Sequence, residues 1–259
     1  MTDLLILLTN DDGYFSAGLQ ALQDGVRNLG RIVTVAPDRE KSATSLSLTL
    51  RRPLRVRQAG PEIYSVDGTP ADCVYMAVQK ILPRKPDLLL SGINHGPNLG
   101  RQDIAYSGTV AGALQGSFLG IPSAAFSLHA DVKGLFSFDH AARIAREIAL
   151  RMTAMTFAPG SLLNVNIPPP PVKGVRITSL GQKRYDPRII EKRDPRRASY
   201  FWIGTGRPKA TGGPGSDIRA VAQGFVSITP LQTDPTDAVL AENLRNAGTF
   251  DGCGRDSGD

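Results

Sequence analysis

Two adjacent carboxylates, Asp11 and Asp12, precede Gly13 directly after the run LLILLTN of residues 4–10. Neighbouring acids at a strand end are hard oxygen donors suited to Mg²⁺, Mn²⁺ or Ca²⁺, although Asp-Asp-Gly after a strand is also a common solvated turn. Two other strand exits carry comparable clusters. APDREKSAT (36–44) brings Ser42, and SGINHGPNLG (91–100) brings Asn94 and Asn98. The Ser42 hydroxyl and the Asn94 carboxamide oxygen are neutral donors able to complete a cation site, or they serve turn geometry. Ser107, Gly108 and Thr109 open a helix of small residues. Its free N–H groups and dipole favour an anion, phosphate above all, although Ser107 alone reads equally well as an N-cap. Thiols and imidazoles are too few nearby for a zinc site.

The elements that must position these residues follow from hydrophobic pattern. The first 130 residues alternate strand-like and helix-like segments, as a parallel α/β sheet requires. Continuous apolar runs at 4–8, 32–37, 86–94 and 121–128 suit strands covered on both faces. Leu19, Leu22, Val26 and Leu29 recur at helical spacing behind Ser16. Thr69 with Pro70 marks another helix start, and 107–120 is a third helix. Beyond them, 138–155 is amphipathic, 162–168 (LLNVNIP) reads as a strand, and 173–231 as strands interrupted by a Gly/Pro/Lys-rich loop at 205–216. A last helix spans 235–246, and the segment after 247 reads as a disordered tail. Loops after parallel strands converge at the carboxyl edge of the sheet, above all where strand order reverses. That convergence puts the carboxylates, the carboxamides and the helix start in one crevice.

The chain has 259 residues, 41% of them apolar and 21% charged, as in a soluble globular protein. No apolar run approaches the roughly 20 residues of a membrane span, and MTDLL lacks the features of a secretory signal. The two cysteines, Cys73 and Cys253, lie far apart and suit free thiols in a reducing cytoplasm. Of the formal charge of +6, most comes from residues 183–197, with seven Lys/Arg against three acids. No helix-turn-helix, zinc finger or RNA-binding aromatic motif accompanies that segment, so nucleic acid is not the partner it suggests. Neither G-x-G-x-x-G after the first strand nor G-x-x-x-x-G-K-[ST] occurs, which argues against the usual dinucleotide and triphosphate sites.

Taken together, TNDDG (9–13), APDREKSAT (36–44), VDGTPADCV (66–74), SGINHGPNLG (91–100) and YSGTVAGALQG (106–116) resemble the SurE-type survival proteins, metal-dependent 5′-nucleotidases. The resemblance continues through KRYDPR (183–188), YFWIG (200–204) and GFVSITPLQTDPT (224–236), and so covers nearly the whole chain. It implies a single domain over 1–259. A Rossmann-like three-layer α/β core with a mostly parallel sheet would fill 1–130, and a β-rich C-terminal extension 131–246. It further implies one divalent cation per subunit, Mg²⁺ or Mn²⁺, on Asp11, Asp12, Ser42 and Asn94, and a phosphate pocket lined by Asn10, Asn98, Ser107, Gly108 and Thr109. The implied substrates are nucleoside 5′-monophosphates and short polyphosphate. The implied assembly is a homodimer or homotetramer exchanging an arm near 200–230.

On this reading Asp11 orients or deprotonates the attacking water and Asp12 is chiefly a ligand, or the two roles are reversed. An aspartyl-phosphate route is the chemical rival, and a nucleotide sensor without turnover the functional one. A sensor would be expected to have lost at least one acid, and both are present. The basic segment should raise the local concentration of anionic substrate. The substrate KM should therefore rise with ionic strength while duplex DNA binds weakly; tight, saturable duplex binding at physiological salt would contradict this.

Overall fold

The structure is a computed structural model and describes residues 4–185, 187–205 and 208–248; the expected tail beyond 248, with Cys253, lies outside them. The amino-terminal half comprises β1 (Leu5–Thr9), α1 (Ala17–Val26), β2 (Arg31–Pro37), β3 (Val56–Gly60), β4 (Ile63–Val66), α2 (Pro70–Met76), β5 (Leu88–His95), α3 (Gly100–Tyr106), α4 (Gly108–Phe118) and β6 (Ser123–Leu128). Next come α5 (Phe138–Met152), β7 (Ser161–Ile167), β8 (Val175–Ile177), β9 (Gln182–Arg184), β10 (Pro187–Arg193), β11 (Ser199–Thr205), β12 (Lys209–Thr211), α6 (Asp217–Ala222), β13 (Val226–Gln232) and α7 (Ala238–Ala247).

The main sheet runs β3-β4-β2-β1-β5-β6-β7-β13-β8. The strands from β4 to β7 in that order are parallel, β3 is an antiparallel edge, and β13 lies antiparallel to β7. Strand side chains alternate between faces, and here both faces are covered. Ile6, Leu8, Leu88 and Leu90 pack with α1 and α5, whereas Leu5, Leu7 and Leu89 pack with α2 and α4. Order departs in both directions from β1, through β2 on one side and β5 on the other. The crevice beyond the carboxyl ends of β1 and β5 is thus the switch point at which open α/β sheets take ligands.

Local signals at three helix starts act as expected. Ser16 caps α1, Thr69 and Asp72 form a reciprocal capping box on α2, and the Ser107 hydroxyl accepts from Val110 N at 3.1 Å on α4. Three features depart from the sequence pattern. The helix after Thr69 closes in a π-type turn at 77–81. An exposed edge strand, β3, forms from VRQAG, which lacks apolar alternation, and α3 forms in what reads as a polar loop, where Asp103 Oδ2 accepts from Leu99 N at 3.1 Å.

Beyond the core, β10 and β11 pair only with each other, and β9 pairs with β12. The hairpin leaves Ile189, Phe201, Trp202 and Ile203 at least 60% exposed. By contrast β13, which begins inside the 200–230 range expected to form an arm, is an interior strand of the main sheet.

Helix α4 lies unusually close to the strands. Glycines at 108, 112 and 116 recur every fourth residue, on one helix face. A Cβ at Gly112 would fall 2.9 Å from Ser91 Oγ, and one at Gly116 would fall 2.4 Å from Ser123 Oγ. Replacing an ordinary helical glycine by alanine gains up to about 1 kcal/mol. Gly116→Ala should instead lose about 1–2 kcal/mol, because overpacking outweighs propensity, as read from the urea midpoint. A stabilised variant would show that the helix stands off the sheet.

Candidate active site

Beyond the switch point lies a cavity of about 880 Å³. Its floor and near wall come from the three sequence-distant loops: Asp11 and Asp12 after β1, Glu40 and Ser42 after β2, and Asn94, His95 and Asn98 at the end of β5. Ser107 at the start of α4 closes that side, while Tyr106, Tyr185, Ile203 and Gly204 form the far wall. The register between β5 and β6 breaks between Ser91 and Asn94, an irregularity of the kind that re-aims side chains at sites.

Asp11 is 5% exposed. Burial pushes its carboxyl up to about 6; the Thr109 hydroxyl, donating to Asp11 Oδ1, opposes that rise, and the neighbouring charge of Asp12 adds to it. Asp12 is also raised by burial, against the His95 N–H that donates to its Oδ2 at 3.3 Å. The loop is tied down by Lys41 N donating to Asp11 O at 2.7 Å and Tyr14 N to Pro37 O at 2.9 Å.

The neutral donors are prepared in a consistent way. Ser42 Oγ gives its hydrogen to Glu40 Oε1 at 2.6 Å, and Asn94 Nδ2 donates to Gly96 O at 2.7 Å. Each keeps oxygen lone pairs for another partner. Among the described residues no group of three or more His, Cys, Asp or Glu is arranged to hold a metal. Two carboxylates with neutral oxygens are therefore the donor set on offer, which suits a hard cation that keeps several waters.

Of the residues expected around phosphate, the cavity wall includes Asn98 and Ser107. The others are placed differently. Asn10 is fully buried and its Nδ2 donates to Gly13 O at 3.0 Å and Ser16 Oγ at 2.7 Å, so its amide braces the loop from beneath. Gly108 and Thr109 are absent from the wall because Asp11 occupies their end of the helix. A Cβ at Gly108 would lie 2.8 Å from Asp11 Oδ2, and Thr109 is wholly buried against that carboxylate. The helix start acts on the acid, and through it on the site.

Residues not foreseen in the sequence also build the far wall. Tyr185 OH donates to Asp103 Oδ1 at 2.8 Å, and Lys183 Nζ donates to Asp103 Oδ2. Among the described residues of the basic segment only Tyr185 reaches the cavity, and no lysine or arginine is among the described lining residues. The pairing of KRY at 183–185 with an acid some eighty residues away leaves no local sequence signal.

Comparison with known proteins shows the family and the fold. A sequence model of the family described as Survival protein SurE matches residues 6–187. A Vibrio cholerae protein named 5′-nucleotidase SurE is 46% identical over 245 residues, 93% of this chain and 95% of that one. Its namesake from Methylococcus capsulatus is 46% identical over 89% of this chain and 92% of its own length. The crystal structure of the SurE protein from Aquifex aeolicus superimposes with a TM-score of 0.80 at 41% identity, covering 94% of this chain and 99% of that chain. With its acid pair at the switch-point crevice and these matches over most of its length, the chain belongs to the SurE family.

Proposed function

We propose that the cavity hydrolyses nucleoside 5′-monophosphates to nucleoside and phosphate with the help of one divalent cation, Mg²⁺ or Mn²⁺. The reading follows the 5′-nucleotidase names of the relatives and rests on one observation: among the described residues, the acids at the strand exits line the cavity without a basic side chain beside them. Asp11, Asp12 and Glu40 face a space with no lysine or arginine among its described lining residues, while Asp103, also on the wall, is paired with Lys183. Such a wall repels phosphate unless a cation intervenes. A dication also relieves the repulsion and desolvation that raise both aspartates.

Asp11, Asp12, Ser42 Oγ and Asn94 Oδ1 would hold the ion, which when bound neutralises charge on the phosphoryl oxygens and polarises water. The chain's own groups do the rest. Asn98 and the Ser107 hydroxyl hold phosphoryl oxygens and orient the group for attack. Asp11, rigid between Thr109 and the β1 exit, takes the proton of the attacking water. Asp12 is chiefly a ligand. Tyr106, Tyr185 and Ile203 offer the flat and apolar surface that a nucleoside needs, and short polyphosphate would use the same phosphoryl site. A buried, unpaired Cys73 suits a reducing cytoplasm.

We further assign the exchanged arm to the hairpin β10–β11, whose apolar residues have no cover within the subunit. Burying them across a two-fold axis yields a dimer. Light scattering at micromolar concentration should report at least a dimer, and Trp202→Glu should shift it toward monomer; a wild-type monomer would refute the assignment.

Metal dependence has a direct test. Saturating Mn²⁺ or Mg²⁺ should raise the thermal midpoint, and EDTA should abolish phosphate release from a nucleotide panel. Asp12→Asn should weaken metal affinity and activity together. Asp11→Asn keeps an acceptor for Thr109 and should fold, yet lower kcat by roughly 10²-fold or more, the usual scale for losing a general base. Full nucleotidase activity in EDTA, or in the double Asn variant, would overturn the proposal.

A further inference from the structure

Strand β7 carries two asparagines, Asn164 and Asn166, in the otherwise apolar LLNVNI. Two residues apart, they share one side of the strand, and both are essentially without solvent contact. Buried carboxamides are costly unless their hydrogen bonds are satisfied. Here those bonds go to a single residue. Asn166 Oδ1 accepts from Asn98 N at 2.8 Å while its Nδ2 donates to Asn98 O at 2.9 Å. One side chain thereby pairs with both main-chain polar groups of a single residue, as a neighbouring strand would. Asn164 Nδ2 donates to the same carbonyl at 3.0 Å. From β6, Ser127 Oγ accepts from Asn98 Nδ2 at 2.8 Å.

We propose that Asn164, Asn166 and Ser127 are positioning residues that lock Asn98, main chain and carboxamide together, in the geometry with which it meets a phosphoryl oxygen. The inference rests on the phosphate role assigned to Asn98 above. Asn98 follows Pro97 and precedes Gly100 at φ +71°; a loop of this kind has no strand partners to hold it. Three interior hydrogen bonds to its backbone and one to its side chain replace them. The bond to Ser127 uses one Nδ2 hydrogen, leaving the second hydrogen and Oδ1 on a side chain that lines the cavity. A second observation points to function over stability. Asn164 Oδ1 is buried without a partner, a deficit that an apolar residue at 164 would not carry. The strand keeps a half-satisfied carboxamide where a valine would pack.

The test uses the full-length protein with inorganic phosphate as competitive inhibitor and Mn²⁺ as a separate ligand. Asn166→Ala should raise the inhibition constant of phosphate about tenfold, the scale of one hydrogen bond to a charged group. Mn²⁺ affinity, read by titration calorimetry in the absence of nucleotide, should change less than twofold. In an Asn98→Ala background the same substitution should add less than twofold to the phosphate constant, because its effect passes through the missing side chain. If Asn166→Ala does not fold, Ser127→Ala carries the same cycle. A lower thermal midpoint with unchanged phosphate affinity, or effects that multiply in the double variant, would overturn the proposal. Should Asn98→Ala alone leave phosphate inhibition intact, the phosphate role of Asn98 would fail, and the positioning role with it.

Discussion

The closeness of α4 to the strands is the constraint from which the site follows. Only a helix bare of side chains along one face can lie where a Cβ would overlap Ser91, Thr9, Ser123 and Leu89. That approach carries the first turn of the helix onto Asp11, with Gly108 against the carboxylate and Thr109 bonded to it. A carboxylate buried there keeps a tendency toward its charged form because the helix end and the hydroxyl favour negative charge. Desolvation pulls the other way and outweighs them, raising the carboxyl to about 6. The acid is thereby left short of positive charge in a place where the fold cannot move it.

A layer of polar side chains lies beneath the site, at the carboxyl ends of the central strands: Thr9 on β1, Ser91 on β5, Ser127 on β6, Asn164 and Asn166 on β7. Deeper residues on the same strands, such as Ile6, Leu88, Ala124 and Leu162, are apolar. The sheet is thus a hydrophobic platform toward one end and a hydrogen-bonding bed toward the other. Stability is given up in the second part, where several buried oxygens stay unpaired, and precision is gained in the loops it supports.

How far the sequence carried depended on whether a feature was local. Apolar runs, Ser16, Thr69 and Ser107 mark their elements because capping and periodicity act over a few residues. The convergence of 9–13, 36–44 and 91–100 was legible because parallel α/β topology leaves few other arrangements. The destinations of individual side chains were not. Asn10 and Thr109 have the chemistry to touch phosphate, but packing within a few ångströms decides that one braces the loop and the other holds Asp11. The β3 edge strand was hidden because exposure removes the apolar alternation, and α3 because the acid in its first turn, Asp103, is made part of the site by Lys183 and Tyr185 from a remote segment. The NVN of β7 did hold a readable sign: amides inside a strand buried on both faces must have partners, and those partners must be something the fold needs held.

The chain has a single tryptophan, Trp202, and it stands on the projecting hairpin at 60% exposure, away from both hydrophobic cores. Its indole therefore samples solvent in an isolated subunit and an apolar, quenched or blue-shifted environment once the hairpin is covered. With the hairpin covered by a second copy, as proposed, intrinsic fluorescence would gauge association more than melting of the sheet. In that proposed dimer, a denaturation curve followed by emission would trace the undocking of the hairpin, circular dichroism would trace the collapse of the core, and the separation between the two midpoints would measure how tightly assembly and folding are linked.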